Sequence, residues 1–197
     1  MTGRLIDHDE LAVWHQQKGV GGGWFQSDTT WAIADESGSP LGTVSVDGGF
    51  LEQPDYWIHD TAGAPVLGVT HADGALAGVT SPWHRVVWAD GSPVGHFQDA
   101  VVFWQDRPVG KWRVDSRWAG TTATFGGAWL WDDADTPIAS VTLEQTAAGS
   151  YFALHRTGEA DEALQWSAVA LVLVARELHR RSEAQATHAR NRRYRHH

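Results

Sequence analysis

The chain has 197 residues, 42% hydrophobic and 20% charged, which suits one globular domain with a sizeable core and excludes a disordered chain. It has no cysteine, which excludes disulfides, thiolate metal sites and a cysteine nucleophile. The charge is uneven. Residues 1–175 hold eight basic against 22 acidic side chains, a net of −14, and residues 176–197 hold seven arginines against Glu177 and Glu183, a net of +5. The acidic body argues against nucleic acid as a partner.

Residues 1–24 read as a lead segment. Asp7, Asp9 and Glu10 lie where a signal peptide would carry its apolar stretch, so none is expected, and a cytoplasmic location follows as the expectation. Gly21, Gly22 and Gly23 lack the Lys-Ser/Thr of a phosphate loop and read as a flexible loop before the first strong strand.

A hairpin pattern then repeats. Trp31, Ile33 and Asp35 lead through Gly38 to Pro40, Leu41, Gly42 and Val44. Tyr56, Ile58 and Asp60 lead through Gly63 to Pro65, Leu67 and Gly68. Val86, Trp88 and Asp90 precede Gly91, Pro93, Gly95 and Phe97, and Val101, Phe103 and Asp106 precede Pro108, Gly110 and Trp112. Trp129, Trp131 and Asp132 precede Pro137, Ile138 and Val141. Aromatic and β-branched residues favour strands, and Asp, Gly and Pro supply tight-turn dihedrals. Five such hairpins, with short linking runs, give about twelve strands. A spacing of about 20–25 residues also suits a sandwich, whereas a propeller blade needs about 40.

From Asp161 to Arg181 there is no Pro or Gly, and the periodicity becomes helical. Leu164, Trp166, Val169, Leu171, Val172, Leu173 and Val174 place apolar groups on every side of the wheel. Such a helix is buried or in a membrane. Residues 163–175 span about 20 Å, too short for a bilayer and suited to the axis of a small barrel. The predicted architecture is therefore a closed antiparallel β-barrel around a buried hydrophobic C-terminal helix. Residues 182–197 read as a polar, basic, disordered tail.

Repeated hairpins ending in an apolar helix resemble the tubby C-terminal-like superfamily, and within it the LURP-one-related and phospholipid scramblase-like proteins. The resemblance covers roughly residues 25–181 and implies a twelve-stranded barrel wrapped around a hydrophobic helix. The scramblases' Pro-rich leader, cysteine cluster and calcium loop have no counterpart here, and the basic patch of the tubby proteins faces an acidic body. The resemblance thus implies the fold, with association with a lipid or membrane surface as the expected role.

Candidate sites follow. Arg180, Arg181, Arg190, Arg192, Arg193 and Arg195 form, with Arg176, a basic run that serves either as a solubilising tail or as a contact for an anionic lipid surface. His59, His71, His84 and His96 recur with the hairpins, and no metal site is expected from them. Asp132, Asp133 and Asp135 read as a turn. Trp14, Trp24, Trp83 and Trp118 lie outside the strongest strands and read as packing residues or as sugar or interface contacts. No nucleophile elbow appears, so neither catalytic residues nor a cofactor are expected. A protein-interaction scaffold, or a small-molecule binder at a barrel mouth, are the alternatives.

Overall fold

A computed structural model describes residues 4–15, 30–47, 55–71, 84–119, 122–147 and 149–194. Its strands are β1 (Glu10–His15), β2 (Trp31–Asp35), β3 (Pro40–Asp47), β4 (Asp55–His59), β5 (Pro65–His71), β6 (His84–Trp88), β7 (Pro93–Gln98), β8 (Val101–Trp104), β9 (Arg107–Ala119), β10 (Thr122–Asp132), β11 (Pro137–Thr146) and β12 (Gly149–Arg156). A short 3-10 turn, Leu5–Asp7, precedes them, and one long helix, α1 (Glu162–Tyr194), follows. Each strand pairs antiparallel with its sequence neighbours, and β1 pairs with β12, so the sheet closes into a barrel. Closure leaves no unpaired edge.

The five repeats are the hairpins β2–β3, β4–β5, β6–β7, β8–β9 and β10–β11, and one mechanical scheme explains their shared letters. In each, the ladder register slips beside the proline: Ala34 faces Pro40, His59 faces Pro65, Val87 faces Pro93, Phe103 faces Pro108 and Trp131 faces Pro137. Proline has no N–H for the ladder, so it stands first in the second strand, or second in β9, beside an irregularity. The Asp closes the turn, as where Asp60 Oδ1 accepts from the backbone N–H groups of Ala62 and Ala64, both at 2.9 Å. The repeated glycine meets the slipped residue of the next hairpin. A Cβ on Gly42 would lie 2.1 Å from the His59 carbonyl oxygen, on Gly95 2.6 Å from that of Phe103, and on Gly110 2.3 Å from that of Trp131. Gly68 departs from the rule: a Cβ there would first meet the Trp57 ring of its own hairpin at 2.8 Å, then the Val87 side chain at 3.0 Å. Gly42, Gly95 and Gly110 are thus close-approach positions that lock one hairpin onto its successor.

Strand residues alternate in and out. Val44, Tyr56, Ile58, Leu67, Val69, Phe97, Leu130, Val141 and Leu154 are buried at 2% exposure or less. The inward faces pack on α1, whose Leu164, Trp166, Val169, Leu171, Val172, Leu173 and Val174 are all buried. Strands all round the ring touch the helix. Trp88 of β6 meets Trp166 edge-on at 5.3 Å, Trp31 of β2 lies 4.2 Å from the Arg176 guanidinium, and Phe125 of β10 and Phe152 of β12 meet His179 at 6.1 and 5.7 Å. An eight-stranded barrel is filled by its own side chains; about twelve strands leave room for a helix. At the start of α1, Asp161 caps the helix by accepting from the Leu164 N–H at 2.9 Å.

The helix does not stop where a disordered tail is expected. It runs on past Arg181 to Tyr194. Residues 182–194 contain no Gly or Pro, include three Ala and three Arg, both good helix formers, and extend an already nucleated helix. Residues 195–197 lie outside the described residues.

Candidate functional site

The two ends of the barrel differ. At the end where α1 begins, Trp88 packs edge-on against Trp104 at 5.7 Å as well as against Trp166. There Arg156 donates to the carbonyls of Ile6 at 2.5 Å and Leu5 at 3.3 Å, tying the N-terminal 3-10 turn down. A cleft of about 750 Å³ beside it is lined by Asp7, Asp9, Arg156 and Glu159.

At the other end the apolar run of α1 gives way to Arg176, Glu177, His179, Arg180 and Arg181. Glu177 is wholly buried. The Tyr56 hydroxyl donates to its Oε2 at 2.6 Å, Arg180 donates through Nε and Nη2 at 2.7 and 2.8 Å, and Arg181 donates through Nε at 2.7 Å. The helix supplies the geometry, since positions three and four apart share a face. Burial alone would raise the Glu177 carboxyl, but the hydrogen bonds from Arg180, Tyr56 and Arg181 outweigh it and hold the group down at about 2. Burial, with the Glu177 charge beside it, pushes the Tyr56 hydroxyl above its ordinary value, so it stays a donor. The Arg180 guanidinium is raised, chiefly by its hydrogen bonds to Glu177.

Arg176 sits differently. Its Nη1 donates to the Tyr56 hydroxyl at 2.9 Å, and its guanidinium lies over the rings of Trp31 at 4.2 Å and Tyr56 at 5.0 Å. These are cation–π distances. Burial lowers its basicity, offset by Tyr56 and Glu177. A cleft of about 320 Å³ opens here, with Trp31, Leu143 and Phe152 on its apolar side and Arg176, His179 and Arg180 on its basic side. Glu183 stands at its rim, 3.7 Å from His179.

The sequence candidates are thereby sorted. Arg180 and Arg181 belong to the buried-carboxylate cluster. Arg190, Arg192 and Arg193 continue along α1 beyond it, with side chains outside the described set, and Arg195 lies outside the described residues. His59 bonds Ser45 at 2.8 Å, His84 is fully buried and stands opposite His71 in the β5–β6 ladder, and His96 stacks on Phe103 at 4.5 Å. The His71 side chain is outside the described set. Among the described residues no three His, Asp or Glu side chains group as metal ligands. Asp132 closes its turn through the Thr136 N–H at 2.7 Å, and Asp135 pairs with Lys111 at 2.6 Å. Trp14 is half-buried on β1. Trp24 and Trp83 lie outside the described residues, as does the side chain of Trp118. Tyr56, Trp31 and Glu177 were visible in the sequence only as strand residues and a lone acid in a basic run.

Comparison with known proteins adds little. No protein-family model matches the chain, and no curated protein matches it. An X-ray structure of a protein from Arabidopsis thaliana is similar at 12% identity and a TM-score of 0.46, over 84% of this chain and 88% of that one. The architecture above rests on the strand pairing of this chain itself. Among the described residues no helix is long and apolar enough to cross a membrane.

Proposed function

We propose that this is a non-enzymatic barrel domain, of the scramblase-like and LURP-one-like kind that its hairpin repeat resembles, which associates with anionic lipid surfaces through the basic end of its central helix. The observation that carries the reading is directional. α1 carries the arginines from 176 to 193 on beyond its apolar run, while residues 1–175 carry a net of −14. Basic residues near an anionic leaflet contribute about 1 kcal/mol each, and an acidic body held away from the surface orients the domain. Co-sedimentation with vesicles tests it. The full chain is expected to pellet with phosphatidylserine vesicles at low salt and to be released as salt rises. The triple variant Arg190→Gln, Arg192→Gln, Arg193→Gln is expected to stay in the supernatant. Equal pelleting with neutral vesicles, or none with either, refutes the reading and moves the search to a protein partner.

A further inference from the structure

The cleft at the helix-exit mouth has a composition that the surface reading does not require. Arg176, Arg180 and Arg181 place three guanidiniums around one wholly buried carboxylate, Glu177. With Glu183 at the rim, the mouth holds three guanidiniums against two carboxylates, an excess of one positive charge inside a chain whose formal net charge is −9. Arg180 and Arg181 are directed at Glu177. Arg176 is not: among the described residues its one hydrogen bond is Nη1 to Tyr56, and its Nε is buried without a partner. A guanidinium has five N–H donors, so most of this fork is uncommitted. Trp31 and Tyr56 hold the fork in place from its faces. The cleft it lines, about 320 Å³, is larger than a bare inorganic anion needs, and Trp31, Leu143 and Phe152 give it an apolar side.

We propose that this mouth is a binding site for a phosphate monoester with a short aliphatic group, the phosphate held by Arg176 and the outer edge of Arg180, the aliphatic part against Trp31 and Phe152. A phosphate monoester presents three acceptor oxygens to these guanidiniums, where a carboxylate presents two. Forked guanidiniums suit phosphate oxygens. The chemistry has two sources, a phospholipid headgroup such as phosphatidic acid or a free phosphorylated metabolite. As a headgroup site the proposal rests on the membrane-surface reading above; as a metabolite site it stands without it.

The test is calorimetric titration of the full chain with glycerol 3-phosphate, then with inorganic phosphate and acetate. Glycerol 3-phosphate is expected to bind more tightly than phosphate, and acetate not to compete. Ser150 is exposed at the cleft rim, so Ser150→Glu leaves the fold intact and sets a carboxylate against the ligand. It is expected to weaken binding about tenfold or more. Arg176→Lys keeps the charge and loses the fork, and is expected to weaken phosphate binding with the melting temperature of the unliganded protein as its folding control. No heat with glycerol 3-phosphate, equal affinity for acetate, or an affinity indifferent to Ser150→Glu overturns the site. Vesicles separate the sources. Pelleting with phosphatidic acid that glycerol 3-phosphate competes away assigns the headgroup. Soluble binding without pelleting keeps the site and removes the membrane reading. Pelleting without soluble binding keeps the membrane reading and removes the site.

Discussion

Glu177→Gln keeps the size of the side chain and removes the charge on which Tyr56, Arg180 and Arg181 converge. The carboxyl falls from an ordinary 4.5 to about 2 in the folded protein. One pKa unit corresponds to about 1.4 kcal/mol, so the folded state favours the ionised form by about 3 kcal/mol. Because the folded value lies below the unfolded one, this stabilisation is fully present above pH 4.5 and is lost as pH falls toward 2. At pH 7 the variant lacks it. Some returns, because the side chains of Arg180 and Arg181 are 44% and 23% exposed and regain water. The net loss is expected at about 1.5–3 kcal/mol, which for a chain of this size lowers the melting temperature by about 3–12 °C. Urea unfolding of both proteins at a series of pH values from 7 to 2 measures it. The wild type should lose stability more steeply below pH 4.5, and the two curves should converge near pH 2. A variant within about 0.5 kcal/mol of wild type throughout, or parallel curves, would refute the claim that the cluster stabilises the ionised carboxylate.

Leu171 is fully buried in the apolar run of α1. Leu171→Ala should cost about 2–5 kcal/mol in chemical denaturation, and Leu171→Asp should abolish folding by circular dichroism. Gly110→Ala places a methyl 2.3 Å from the Trp131 carbonyl and 3.0 Å from Leu164. It should lower stability by about 1–3 kcal/mol in the same assay, and a neutral result would mean that the β9–β10 approach is loose.

Much of the fold was legible because the repeat states it. Each hairpin carries its own strand, turn and proline, and α1 is announced by an apolar run with no Gly or Pro. The role of the repeated glycine was not legible, since Gly42 answers to His59 and Gly110 to Trp131, each in the following hairpin. The length of α1 was underestimated because polarity was read as disorder. Residues 182–194 lack an apolar run but hold no helix breaker, and that suffices once the helix is nucleated from the barrel. The candidate site was half visible. The arginines stand out, but Glu177 looks like a solvated acid among them, and its partner Tyr56 lies 121 positions earlier. A pairing across that distance leaves no trace in local pattern.

The cluster also decides how deep the helix sits. Apolar burial is non-directional, and a helix that is apolar on every side gains almost the same burial at several depths in an apolar tube. Polar groups break that degeneracy. A slip of one turn moves the helix about 5.4 Å. In one direction it carries Glu177 among the valines and leucines of the interior, where an unpaired carboxylate costs several kcal/mol. In the other it takes Glu177 away from Tyr56. Only the observed depth keeps that bond. That same depth brings Arg176 over the rings of Trp31 and Tyr56, beside the cleft. The buried carboxylate is therefore the residue through which the fold positions its basic end.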